Sequence, residues 1–496
     1  MPVGGIVGYI ENTSTTQQTK AQTELTNSGK LTFAAGSTYN SAVKVGGVVG
    51  GRVNNVTFGG GSSTGIRNRG DIELGGTFNK QLMVGGIAAH LDQVILTSGN
   101  THDAVNKGSI TFKSSFASTS SNNTYVGGIA GLFESASSTG IYLKQTVNEG
   151  TIKVEKNANF SSGEVAIGGL VGNANGGRII TTANKGALTM AGTFSVRLSL
   201  GGIIGYNNGT TVLESNSIGA TNDGIITVTS DAVSGETHIG GICGISKCKF
   251  SNKTINNGTI TVSGTHTAAK FQVGGGFGWY VNGAGTLDNL ENHGNVTIKS
   301  DINVVSKNIY IGGGIGYAQD AVKNLTNSGN VTIEKGARLS DSDGMSIGGA
   351  IGQARATVNG ATNTGDVTVY VDNLSDGTTN YISGVIASIK DGINIYTLKN
   401  YANVAGTSNW NIGMLLGMPR SDKRIINTGS FGGKLGLLDT ISGAIEYNTY
   451  DNFDYIDVVY GDAISENDAK TDKLGWLQNS IDDTPIGVDG NPVATE

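Results

Sequence analysis

The chain has 496 residues, of which 79 are Gly and only 4 Pro, with 15% charged and 37% hydrophobic residues and a formal net charge of -6. Glycine inside a helix costs roughly 1 kcal/mol relative to Ala, so this much of it excludes long helices, while the missing Gly-X-Y period excludes collagen and the regular spacing of Val, Ile and Leu excludes plain disorder. No Lys/Arg-rich run exists to neutralise a row of phosphates, which speaks against nucleic acid as a partner, and no stretch approaches the ~18 apolar residues that span a bilayer.

The first residues already belong to a repeat. Val3-Gly4-Gly5-Ile6-Val7-Gly8 is a full apolar-Gly-Gly-apolar-apolar-Gly motif, and the start lacks the basic and apolar regions of a signal peptide, so the chain is expected to be a piece of something longer. The motif opens again at Val45, Val84, Val126, Ile167, Leu200, Ile239, Val273, Ile311 and Ile347, with weaker copies at Ile382 and Ile412. Between these copies runs a second motif, Asn-x-Gly-x-apolar-Thr-apolar, beginning at Asn27, Asn68, Asn106, Asn148, Asn184, Asn222, Asn256, Asn292, Asn327 and Asn363, with degenerate copies at Asn400 and Asn427. Asn27 to Asn363 covers nine steps in 336 residues, about 37 per step. Strict alternation at that period predicts an all-β fold, a parallel β-solenoid of about 12 tandem repeats over residues 1–440.

The second motif reads as a corner feeding a strand. Leu31-Thr32-Phe33 and Val331-Thr332-Ile333 alternate apolar and polar, the pattern of a strand with one dry face. Stacked corners would bring the asparagines within about 4.8 Å of one another, where an amide that both donates and accepts forms a ladder. The first motif is expected to be one strand with positions one, three and five on an apolar face and its glycines under a second layer of backbone. Cys243 and Cys248, in CGISKC, read more readily as buried apolar fillers than as a disulfide, and nothing nearby supplies four metal ligands.

These two motifs resemble the GLUG-motif repeat family, most closely at Gly201-Gly202-Ile203-Ile204-Gly205-Tyr206-Asn207-Asn208-Gly209-Thr210. The similarity covers residues 3–433, in repeats longer than the usual family unit. The resemblance implies a β-helical stalk in large secreted or surface-anchored bacterial proteins, and supplies no catalytic residue. The expected function is therefore a non-enzymatic structural module at the cell surface or outside the cell, as stalk, surface layer or adhesin. Its partners would be other surface proteins, further copies of itself, or a host or glycan ligand. The alternative is a carbohydrate-binding or polysaccharide-processing β-helix.

Residues 441–496 break the pattern: they hold twelve Asp and Glu against Lys470 and Lys473. A small acidic cap over the last turn is expected there, with a short helix opening at Ser465 and running through Leu474 and Leu477. Asp482, Asp483 and Asp489 are the candidate ligands for calcium, although their spacing is not that of an EF-hand loop, and no other cofactor is expected. Catalytic patterns are missing: carboxylates are scattered, the five histidines share no motif position, and there is no GxSxG, HExxH or P-loop. Tyr206, Trp279 and Tyr317 follow the first motif directly and would form a column with Ile245, a candidate platform for sugar rings, although their parity points them at the interior or a corner.

Overall fold

The computed structural model describes residues 1–417 except 12–18, 22–23, 55, 59–64, 97–103, 120–121, 136–141, 162, 210–211, 215–218, 248–249, 251–252, 282, 284, 342, 371–379, 391–392, 407–410 and 414, and beyond them the strands 426–431, 435–438, 445–448, 456–459 and 476–478. These residues form two compact units: 1–258 with 264–267, and 259–263 with 268–496. The boundary expected at 440 falls inside the second. Parallel strands stack in a β-solenoid of about nine turns, fewer than the twelve expected, with no helix among the described residues.

The turns of the first unit supply strands to five parallel sheets, of which the four that carry the two motifs are here called I to IV. One turn reads Leu198–Gly201 in sheet I, Ile204–Asn207 in II, Ala220–Asn222 in III and Ile226–Val228 in IV. Equivalent residues lie over one another without slippage: Val45, Val84, Val126, Ile167, Leu200 and Ile239 form one file in sheet I. In the second unit Val273, Ile311, Ile347, Ile382 and Ile412 do the same. A one-residue slip would turn every buried side chain outward, so the apolar pattern fixes this register.

The first motif is not one strand but two, joined by a corner at its third and fourth positions. Val43–Gly46 belongs to sheet I and Val49–Asn54 to sheet II. At the corner the N–H groups of Val48 and Val49 both donate to the carbonyl of Ile87, at 3.0 and 2.9 Å. The glycines explain the corner. A Cβ on Gly47 would lie 2.2 Å from the carbonyl oxygen of Gly86 and 2.5 Å from Cγ of Asn68. The third position of the first motif is thus glycine because the asparagine of the second motif fills its space. At the sixth position a Cβ on Gly205 would lie 2.5 Å from the Ile167 nitrogen, so the backbone layer expected over the glycines is the sheet I strand of the preceding turn.

Sheet II also skips a pairing at that sixth position, passing from Val171↔Ile204 to Asn173↔Tyr206. The register is unchanged across the skipped pair, and side chains beyond it turn toward sheet I, as Tyr317 does against Tyr310. The seventh residue then faces sheet I rather than the interior, against the parity expected from the sequence.

Sheet IV of the first unit carries a file of phenylalanines. Phe78 and Phe116 lie 5.3 Å apart, Phe116 and Phe160 4.8 Å, and Phe160 and Phe194 5.0 Å. Each such contact contributes about 0.5–1.5 kcal/mol beyond burial alone. At the far end of the second unit the strand direction changes. Asn411–Gly413 pairs antiparallel with Trp476–Gln478, Ile426–Phe431 with Ile456–Val459, and Leu435–Leu438 with Ile445–Asn448. Leu477, expected in a helix, is in one of these strands; Ser465 and Leu474 lie outside the described residues.

Replacing Gly202 by Ala places a Cβ 2.0 Å from the Gly241 oxygen and 2.4 Å from Cγ of Asn222, whereas a Cβ on Gly8 meets nothing within 4 Å. In urea unfolding Gly202→Ala is expected to lose about 3 kcal/mol and Gly8→Ala less than about 0.5 kcal/mol. Equal midpoints for the two variants would show that the corner does not depend on this contact.

Candidate functional site

The asparagines of the second motif stand at the ends of the sheet III strands, where the chain turns into sheet IV, and they are almost fully buried. In the first unit Nδ2 of Asn27 donates to Oδ1 of Asn68 at 2.8 Å, and the same bond runs from Asn68 to Asn106, Asn106 to Asn148, Asn148 to Asn184, Asn184 to Asn222 and Asn222 to Asn256. In the second unit it runs from Asn292 to Asn327, Asn363 and Asn400. The second N–H of each amide donates within its own turn, as from Asn148 to the Gly150 oxygen at 2.8 Å, and the Gly150 N–H returns to Asn148 Oδ1 at 3.2 Å. Both donors and both lone pairs of Asn148 are therefore used. Asn427 does not continue the file, because Asn400 pairs with Phe431 instead.

Sheets I and II lie against each other outside the corner, and the residues facing across this seam are the chemically varied ones. In the first unit Lys44, Arg52, His90, Asp92 and Glu134 meet there. His90 Nε2 is 2.8 Å from Glu134 Oε1, Lys44 Nζ is 3.3 Å from His90 Nδ1, and Arg52 is paired with Asp92. Burial pulls the Lys44 ammonium below its usual range, and nearby Arg52 adds to this. The hydrogen bond from His90 holds Glu134 below the usual carboxylate range, and the bond to Asp92 raises Arg52 further.

His90, Asp92 and Glu134 each offer one ligand atom within 4.8 Å of the others, a trio that no sequence motif signals. Two of the three already hold a partner of opposite charge, and Lys44 and Arg52 bring two cations to the same place. A divalent ion would have to break these pairs against like-charge repulsion.

The aromatic residues picked out from the sequence belong to the same seam. Tyr206 is 6% exposed, with Arg197 and Lys247 at 5.3 and 5.6 Å from its ring centre. Its partner in the next turn is Ile245, as expected. In the second unit Trp279 pairs with Tyr317, their rings stacked at 6.2 Å, and Tyr310 approaches Tyr317 at 5.1 Å. Lys270 lies 4.6 Å over the Trp279 ring, whose Nε1 donates to Gln319. Tyr317 is only 5% exposed. Burial raises both tyrosine hydroxyls above their ordinary range and pushes the nearby Asp341 carboxyl up to about 6. These rings are thus engaged by neighbours rather than presented as an open platform.

Cys243 is buried in sheet II, its Sγ donating to the Ile245 carbonyl at 3.0 Å; Cys248 lies outside the described residues. Asp482, Asp483 and Asp489, proposed as calcium ligands, also lie outside them. No protein-family model, curated protein or solved structure matches the chain.

Asn148→Ala leaves a donor of Asn106 and the Oδ1 acceptor of Asn184 without their ladder partners inside the stack, and each costs about 1–3 kcal/mol. A loss of about 3 kcal/mol in denaturant unfolding is expected. Asn148→Asp should be worse at neutral pH, since a carboxylate cannot donate to Asn184. A buried carboxyl has a raised pKa, so its neutral form returns as pH falls, and the deficit of this variant against the wild type should shrink toward low pH. A deficit that grows on acidification would contradict the ladder. For the seam trio, a molar excess of Zn²⁺ is expected to leave the melting temperature unchanged; an upward shift abolished in His90→Ala would make it a metal site.

Proposed function

We propose that the chain is a non-catalytic structural repeat module of an extracellular or bacterial cell-surface protein, serving as stalk, surface layer or adhesin segment. What supports this most is the amide ladder. It joins turn to turn through groups that do not titrate, so its cohesion does not depend on pH, and it is repeated rather than concentrated at one place. Such a stack withstands conditions outside a cell that would unfold a protein held by ion pairs.

The side chains in the seam add to the same picture. Carboxylates that would have to converge on a substrate in a polysaccharide-cleaving site are here tied to Arg52, His90 and Arg197. The resemblance to GLUG-motif repeats agrees with this role. The antiparallel strands at the end of the second unit suit the cap expected there, since they cover strand edges that would otherwise invite another chain.

Antibody raised against the chain should label intact producing cells or the culture medium, and incubation with a panel of bacterial and host polysaccharides should release no reducing ends. Labelling that requires permeabilised cells would remove the surface role, and turnover of any polysaccharide would remove the non-catalytic one.

A further inference from the structure

In the first unit the outward side of the corner after sheet III gathers one charged residue in each of four successive turns. The residue after each ladder asparagine sits in a single file, because its N–H donates to the carbonyl of the asparagine one turn earlier: Arg69 to Asn27 at 2.8 Å, and Lys107, Glu149 and Lys185 to Asn68, Asn106 and Asn148 at 2.7 Å each. Beside this file Arg67, Val105 and Val147 stand in register, and the two files line a cavity of about 320 Å³. That is within the range of small-ligand sites. Val105 and Val147, 9% and 3% exposed, form an apolar floor.

Four cations and one carboxylate line this groove. Lys107 pairs with Glu149 at 3.0 Å, and Arg67 with Glu24 at 2.5 Å. Arg69 and Lys185 have no ion pair or side-chain hydrogen bond among the described residues. Arg69 and Lys107 follow the ends of neighbouring strands at the same position of successive turns, an arrangement that costs stability because like charges lie one turn spacing apart, about 4.8 Å. Glu149, paired with Lys107, offsets part of that cost; Arg69 has no such carboxylate among the described residues. The excess is local: the next residue in the file is Ser28 at one end and Asp223 at the other, in a chain whose net charge is -6.

We propose that this groove binds a linear acidic polysaccharide, carboxylated or sulfated, laid along the stacking direction. Arg69 and Lys185 are three strand spacings apart, about 14 Å, which a single small anion cannot bridge but a polymer with an acidic group on successive units can. The valine floor receives the C–H face of the sugar rings between the charges. Nucleic acid fits less well: none of the lining residues is aromatic, and bases bound along a strand stack on aromatic rings. This site is separate from the structural role proposed above and requires neither a surface location nor the absence of catalysis.

The test is calorimetric titration of the whole chain with polygalacturonate, dextran sulfate and neutral dextran, and with a single-stranded oligonucleotide of matched charge. Saturable binding to one or both acidic polysaccharides is expected, weakening as salt rises, with none to neutral dextran. Arg69→Glu with Lys185→Glu should reduce that affinity at least about tenfold without lowering the melting temperature, since both side chains are exposed and the change removes a like-charge contact. Lys307→Glu with Lys390→Glu, an equal change of charge in the second unit, should leave affinity within about twofold. The proposal is overturned if no acidic polysaccharide binds, if the two double variants lose affinity equally, or if the oligonucleotide binds as tightly and with the same dependence on Arg69 and Lys185.

Discussion

The fold depends on one contact, between the asparagine of the second motif and the third-position glycine of the first. The amide occupies the volume in which a Cβ at that glycine would lie, in Asn68 against Gly47, Asn184 against Gly169 and Asn327 against Gly313. This is why two motifs about twenty residues apart alternate so strictly. Losing either one removes the reason for the other. The contact also brings the two corners of each turn together, which places the amides in a dry, narrow space where an unpaired N–H is costly and a fully bonded file is favoured.

Around that contact, the division of labour between faces follows. The phenylalanine file and the files of Val and Ile supply burial and fix the register, the ladder ties turn to turn, and the seam outside the first corner absorbs residues of every kind, from Lys44 and His90 to Trp279 and Tyr310. Variation is tolerated in the seam because each turn needs only to satisfy its own neighbours there. It is not tolerated at the glycines, where backbone meets backbone.

Much of this was legible in the sequence. The period, the parallel stacking and the ten asparagines can be read directly, since a stacked amide column requires asparagine at the same place in every repeat. The corner inside the first motif was not legible, because Gly-Gly in an apolar run looks the same whether it lies under another strand or turns between two sheets. That in turn hid the orientation of Tyr206, Trp279 and Tyr317, which depends on a skipped pairing at a glycine without a side chain to betray its direction. The basic groove escaped for a different reason: Arg67, Arg69, Lys107 and Lys185 are far apart in the chain and make no run, and only the stacking register collects them.

The ladder has one more property. Every link within each unit runs the same way, from Nδ2 of one turn to Oδ1 of the next. The amide dipoles therefore add, with carbonyl oxygen facing the amino-terminal side of each file and N–H facing the other. The two extremities of such a column are chemically unlike, one asking for a donor and the other for an acceptor. Joining two identical extremities by a two-fold axis would set like poles together, whereas head-to-tail joining preserves the polarity, so any lengthening of the stack has a built-in direction.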